Sequence, residues 1–399
     1  MKTKHMYKAY LKPGKEESLK RFHPWVFSGA IARIEGQPEE GDIVEVYTAQ
    51  NEFIAKGHCQ IGSIAIRVLS FRQDEKIDRD FWRRKLQAAY DMRRNLHIGG
   101  NPANDTYRLV HGEGDNLPGL VVDIYGRTAV MQAHSPGMHV DRMEIADALA
   151  DVMGDTIDSI YYKSESTLPY KADLYPENGF LKGSNTDNVA TEYGLKFHID
   201  WLKGQKTGFF VDQRENRALL ERYAHGRTIL NMFCYTGGFS VYAMRGGARL
   251  VHSVDSSAKA IDLTNKNIAL NFPDDTRHTA YAEDAFKYLD RMENGFYDLI
   301  VLDPPAFAKH RDALRNALQG YRKLNAKAFE KIKPGGLLFT FSCSQAVDKD
   351  HFRTAIFTAA ATTGRNVRIL HQLTQPADHP VNIYHPEGEY LKGLVLYVE

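Results

Sequence analysis

The residues with the clearest chemical potential lie in the second half of the chain. Phe233-Cys234-Tyr235-Thr236-Gly237-Gly238-Phe239 carries paired glycines, which let a backbone close on a ligand without interference from a Cβ. Asp255 follows ~20 residues later, where an acidic side chain can accept bonds from ribose hydroxyls. Asp284, in Ala282-Glu283-Asp284-Ala285-Phe286, could take an adenine amino group, and Asp303 heads Asp303-Pro304-Pro305-Ala306-Phe307. Each aspartate alone reads more simply as a helix cap or turn residue, and Gly-Gly alone is also a plain turn. Their order at successive strand ends is what carries the signal. The loop is not GxGxxG and lacks the Gly-Lys-Ser/Thr of a P-loop, so dinucleotides and nucleoside triphosphates are disfavoured.

The elements that must position these residues alternate strand and helix. Apolar strands are predicted at Thr228–Phe233, Leu250–Asp255, Tyr297–Asp303 and Gly336–Ser342, with closing strands at Val367–Leu373 and Leu391–Val398. Helices fall between them, including Ser257–Asn271. Repeated β-α units specify a doubly wound α/β sheet with ligands at the carboxyl ends of its strands. This domain is assigned to residues 191–399.

Two smaller regions precede it. Residues 1–73 read as short strands with glycine-marked turns, a small β-barrel, and contain the basic and aromatic cluster Arg21-Phe22-His23-Pro24-Trp25-Val26-Phe27. Residues 74–190 begin with a charged helix, Asp80–Leu96, carrying Arg83, Arg84, Lys85, Arg93 and Arg94. It reads either as a solvated linker or as a contributor to phosphate binding. Strands at Tyr107–His111, Leu120–Tyr125, Thr128–Ala133 and Ser159–Lys163, with one helix from Met138 to Met153, then make an α+β unit.

Composition sets the outer limits. Hydrophobic residues at 43% and charged residues at 25% are ordinary for a globular chain and exclude a mainly disordered one. No apolar run approaches the ~20 residues of a membrane span, and no signal-peptide core follows the basic N-terminus, so a cytoplasmic protein is expected. Cys59, Cys234 and Cys343 have no metal-ligand spacing and suggest neither a disulfide framework nor a metal site. The net charge of +1 says little, but residues 1–100 hold 18 Lys+Arg against 13 Asp+Glu. The front of the chain is the better partner for a polyanion.

The ordered glycine and aspartate features resemble the class I S-adenosylmethionine (SAM) methyltransferases. Gly208-Phe209-Phe210-Val211-Asp212-Gln213-Arg214-Glu215-Asn216-Arg217, Asn231-Met232-Phe233-Cys234-Tyr235-Thr236-Gly237-Gly238-Phe239, Asp303-Pro304-Pro305 and Phe341-Ser342-Cys343-Ser344 resemble the ribosomal RNA large subunit methyltransferase I family. Leu11-Lys12-Pro13-Gly14, His23-Pro24-Trp25-Val26-Phe27 and Asp115-Asn116-Leu117-Pro118-Gly119-Leu120 extend the likeness over essentially the whole chain, the first two as the start of a PUA domain, an RNA-binding barrel.

The resemblance implies a Rossmann-like SAM-dependent methyltransferase that makes 5-methylcytosine in 23S ribosomal RNA, with homodimers also found in the family. It implies that Asn231, Phe233, Tyr235 and Gly237 wrap the methionine end of SAM. Asp255 and Ser256 would hold the ribose, Asp284 and Ala285 the adenine, and Gln213, Arg217 and Asp303 would close the pocket. Cys343 would be the nucleophile. C5 of cytosine attacks a sulfonium methyl only after a thiolate has added at C6, and Asp303 would bond the N3/N4 edge. A lone Cys is otherwise usually a small buried thiol. No second cysteine stands beside Asp303-Pro304-Pro305, so the C5 proton must leave to another group or to water. Phe307, Lys309, His310 and Arg311 suit stacking and phosphate contact with a base that is flipped out or single-stranded. Two other readings stay open: methylation of a guanine nitrogen or exocyclic amino group, since Asp-Pro-Pro is also an amino-methyltransferase feature, and a non-catalytic RNA-binding protein.

Overall fold

A computed structural model describes residues 7–307 and 311–399. The chain folds as two compact units: the first takes the chain up to Tyr193, Ile199–Phe209 and Ala377–Gly388, and the second takes Gly194–His198, Phe210–Pro376 and Glu389–Glu399.

The first unit contains two sheets, each with its own core. The six-stranded sheet runs, edge to edge, through Trp25–Phe27, Ile64–Ser70, Phe53–Cys59, Ile43–Tyr47, Tyr7–Leu11 and Ile31–Glu35. Val44, Val46, Ala55, Cys59, Ile66 and Val68 form its core. The five-stranded sheet orders Gly179–Lys182, Ser159–Tyr162, Thr128–Ala133, Leu120–Tyr125 and Thr106–His111. Phe81, Trp82 and Leu86 of helix Arg79–Asn95 share its apolar core with Ile145, Ala146 and Leu149 of helix Arg142–Met153.

Two expectations change here. The single helix expected over Met138–Met153 is two, Pro136–Val140 and Arg142–Met153. The break falls at Asp141, which is buried and bonded at 2.9 Å to Nε2 of His58. Arg93, grouped with the phosphate-binding candidates, is fully buried and makes a two-pronged ion pair with Asp115 at 2.5 and 2.8 Å. Its charge is spent inside the fold, and only its neighbours on the helix remain for a polyanion.

The second unit is built on one seven-stranded sheet. Its strands are β1 (Thr228–Met232), β2 (Leu250–Asp255), β3 (His278–Ala282), β4 (Leu299–Leu302), β5 (Gly336–Ser342), β6 (Val367–Thr374) and β7 (Lys392–Val398). The spatial order is β3-β2-β1-β4-β5-β7-β6. β1 to β5 run parallel, and β7 is inserted antiparallel between β5 and β6. Helices α1 (Arg214–Tyr223), α2 (Gly238–Arg245), α3 (Ala258–Asn271), α4 (Ala285–Arg291), α5 (Leu314–Lys331) and α6 (Lys349–Thr363) accompany it. β1 and β5 are buried at every position, as strands covered on both faces must be. The order reverses between β1 and β4. That switch point opens a crevice at the carboxyl ends of the strands, where ligands of open α/β sheets bind.

Candidate active site

The loop from β1 to α2 has an unusual backbone. Phe233, Tyr235 and Gly237 all have positive φ, at 58°, 48° and 77°. Two non-glycine residues in this region within three positions store strain of a kind that collects at ligand sites. Gly237 is required twice over, since a Cβ there would meet Cγ2 of Thr264 at 2.7 Å. Side chains of α3 brace the loop: Thr264 donates to the Tyr235 carbonyl at 2.9 Å and Asn267 to the Thr236 carbonyl at 2.8 Å.

Asp255 closes β2 and faces the same loop. One carboxylate oxygen accepts from the Tyr235 N–H at 3.0 Å, the other from the Ser257 N–H at 2.9 Å. Each oxygen keeps a lone pair for a further donor. Ser256 beside it is exposed. Asn231 is buried within β1 and donates to Ser240, which bonds Ser253. Its Oδ1 is buried and has no hydrogen-bond partner among the described residues. Asp284 caps α4, its Oδ1 accepting the N–H groups of Phe286 and Lys287 at 3.0 Å each, and Ala285 is buried behind it.

The motif ahead of the sheet reaches the same edge. Gln213 is buried; its Nε2 donates to Asp303 at 3.1 Å and its Oε1 accepts from Asn216 at 2.6 Å. Asp303 lies just past the end of β4 and is half-buried. Arg217 donates to the Phe210 carbonyl at 2.9 Å and lies against Gly238, and Phe210 packs edge-on to Tyr235 with ring centres 5.1 Å apart.

The three cysteines separate by environment. Cys59 and Cys234 are buried, and burial pushes both thiols up to about 12. Cys343 follows the last residue of β5 and is half-buried. Tyr321 of α5 is fully buried nearby and accepts from Ser342 Oγ at 2.8 Å; burial, with smaller contributions from Cys343 and Asp303, pushes its phenol up to about 12. Phe307 stacks obliquely on Tyr321 at 4.7 Å. Lys309 and His310 lie outside the described residues, and Arg311 begins a short helical turn. Sequence reasoning missed Tyr321 and Lys392, the residue opposite Ser342 in β7. The available signal was a lysine heading an otherwise apolar strand, Lys392-Gly393-Leu394-Val395-Leu396.

A sheet of this order, with its glycine loop and carboxylates along one edge, defines a class I methyltransferase fold. Residues 171–387 match the family described as S-adenosylmethionine-dependent methyltransferase, and residues 9–71 match a PUA-like domain. A solved structure from Streptococcus mutans, a candidate SAM-dependent methyltransferase, superimposes with a TM-score of 0.83 at 23% identity, covering 98% of this chain and 100% of that one. A candidate methyltransferase in complex with SAH reaches 0.84 at 23% identity, with the same coverage. The "Ribosomal RNA large subunit methyltransferase I" of Tolumonas auensis is 42% identical over 395 residues, covering 97% of this chain and 98% of the relative. The chain belongs to the ribosomal RNA large subunit methyltransferase I family and is SAM-dependent. The unpartnered Asn231 Oδ1, the Gly237 cradle and the remaining acceptor capacity of Asp255 suit that cofactor. No helix among the described residues is long and apolar enough to cross a membrane.

Proposed function

We propose that this chain methylates C5 of a cytosine in large-subunit ribosomal RNA, with Cys343 as the nucleophile at C6. The observation that carries this reading is the position of Cys343. It is the one cysteine of the three that is not buried, and it sits at the carboxyl edge that also holds the glycine loop and Asp303. The names of the relatives supply the RNA class.

Bound at this edge, SAM supplies an electrophilic methyl group on a sulfonium. Asn231, Phe233, Tyr235 and Gly237 would hold its methionine end, Asp255 and Ser256 its ribose, and Asp284 and Ala285 its adenine. With Oδ1 of Asp284 engaged by the helix cap, Oδ2 would be the oxygen left for the adenine amino group. Gln213 fixes the Asp303 carboxylate, which in turn steadies the N3/N4 edge of cytosine. The Cys343 thiolate would bond to C6 and move the C5–C6 π pair to C5, and that pair would take the methyl as the S–CH3 bond breaks, the bonding pair staying with the sulfur of the departing thioether. Loss of the C5 proton to water or to another group would then re-form the C5–C6 double bond and expel the thiolate.

RNA is gathered by the first unit. Phe22 and Phe27 are 48% and 44% exposed, with Tyr384 at 49% beside Phe22. Trp25 of the same cluster is instead anchored, donating to Glu113 at 2.8 Å. Exposed rings are sequence-tolerant stacking platforms for unpaired bases.

Cys343→Ala should retain SAM and RNA binding and lose methylation by orders of magnitude. RNA carrying 5-fluorocytosine at the target should trap the unaltered enzyme as a denaturant-resistant adduct. Mass spectrometry of ribosomal RNA from cells with and without the protein identifies the product. Full activity in Cys343→Ala would move the target to a guanine nitrogen or an exocyclic amino group.

A further inference from the structure

A thiol with the free value near ~8.5 supplies little thiolate at neutral pH, and the chain neighbours of Cys343 (Ser342, Ser344 and Gln345) are uncharged. The sheet register supplies a charge from elsewhere. Because β7 runs antiparallel to β5, its first residue lies at the carboxyl edge: Lys392 pairs with Ser342, one residue before Cys343. The Lys392 side chain is buried, 6% exposed, and its Nζ donates to the carbonyls of Ser344 and Val347 at 2.5 and 2.6 Å. An ammonium has three N–H donors, so one remains beyond these two bonds. The charge is thus pinned to the loop that carries Cys343.

The surrounding groups leave this cation without a carboxylate in contact, among the described residues. Asp348 at the start of α6 accepts from the His351 N–H at 2.7 Å and pairs with the His351 ring. Glu389, just before β7, pairs with Lys349 at 2.8 Å. Cys343, Asp348, Lys349 and Glu389 are the titratable groups that act on Lys392, while Tyr321 and Asp303 share the Cys343 side. A buried cation with no counter-ion is costly to the fold, and one placed beside a nucleophilic sulfur has an anion to meet.

We infer that Lys392 is a positioning residue that supplies the positive charge against which Cys343 ionises, an inference that rests on the cytosine reading for its purpose. The thiol proton leaves to water, the ammonium keeps all of its protons, and the local charge falls from plus one to zero. The same cation favours return of the sulfur as a thiolate when the C6–S bond breaks. Burial pulls the ammonium down to about 8, and the Cys343 charge works in the opposite sense.

The test is the pH profile of Cys343 alkylation by iodoacetamide in the full chain, followed peptide by peptide by mass spectrometry, with neither RNA nor SAM present. The unaltered protein should show a half-point below the free-thiol value of ~8.5. Lys392→Gln keeps a donor for the carbonyls and removes the charge; its half-point should rise by about one unit, with alkylation about tenfold slower at neutral pH and equal at high pH. Lys392→Arg should keep the low half-point. A half-point at or above the free-thiol value in the unaltered protein overturns the inference without any variant, as does a Lys392→Gln profile that superimposes on it. An ordinary profile with an inactive Cys343→Ala removes Lys392 and leaves the cytosine reading intact. A low half-point with an active Cys343→Ala does the reverse.

Discussion

Lys56 in the first unit and Lys392 in the second invite comparison. Both are buried lysines that head into backbone carbonyls: Lys56 donates to Gln73 and Glu75 at 2.7 and 3.0 Å, Lys392 to Ser344 and Val347. They differ in the remaining partner. Lys56 has the Glu45 carboxylate at 3.6 Å, and another buried cation of that unit, Arg93, has Asp115. Lys392 has two carbonyls and a cysteine. Where charge serves only the fold it is neutralised locally. Where it stands at the carboxyl edge it is held by neutral dipoles, which fix its position and leave its charge available.

The largest effect expected from this contrast is on stability. Asp115→Ala strands the Arg93 guanidinium in the core and should cost about 3–5 kcal/mol, read as a lowered denaturation midpoint. Lys392→Gln, which strands no partner charge, should cost far less. A near-neutral Asp115→Ala would break the comparison at its base.

Next in size is the cofactor edge. Asp255→Ala removes a charge-assisted acceptor and frees the Tyr235 N–H, so the SAM Kd should rise by the equivalent of ~1.5–3 kcal/mol in calorimetry. Asp284→Ala should do less to SAM, because the exposed Asp284 spends one oxygen on its own helix. Equal and unaltered SAM affinities in both variants would remove these residues from the pocket.

The smallest effect sharpens the view of the first unit as an aromatic rather than an ionic RNA surface. Phe22→Ala with Phe27→Ala should weaken RNA binding by about 1 kcal/mol or more and leave SAM binding unchanged. Unchanged RNA affinity would return the interaction to the arginines of the Arg79–Asn95 helix.

Local signals explain what could be read in the sequence. Leu120–Tyr125 is bracketed by Gly119 and Gly126, and Leu250–Asp255 and Gly336–Ser342 are likewise delimited by glycines or a helix start. Their ends are where the pattern puts them. The glycine loop and its aspartates are also legible, because ligand sites of α/β sheets fall at strand ends. Long-range contacts are not legible in this way. The aspartate at the Asp141 break is bonded to His58, 83 residues away, a contact that a 3.6-residue period runs straight through. Lys392 reaches Ser342 through strand register across 50 positions, and nothing near either residue announces the pairing. The assignment of Ala377–Gly388 to the first unit is equally silent.

That short segment bears on how the protein is made. It lies in the chain between β6 and β7, yet Asp378 serves the first unit: its carbonyl accepts from Arg93 and its carboxylate from the Arg108 N–H. During synthesis at ~5–20 residues per second, a ribosome that has released both sheets of the first unit must translate nearly two hundred further residues before those two arginine positions gain their last acceptors. The first unit to emerge is therefore completed only just ahead of the second, whose own last segment is Glu389–Glu399. Nascent chains arrested before Ala377 should be more open to protease around Arg93 and Arg108 than chains arrested after Gly388.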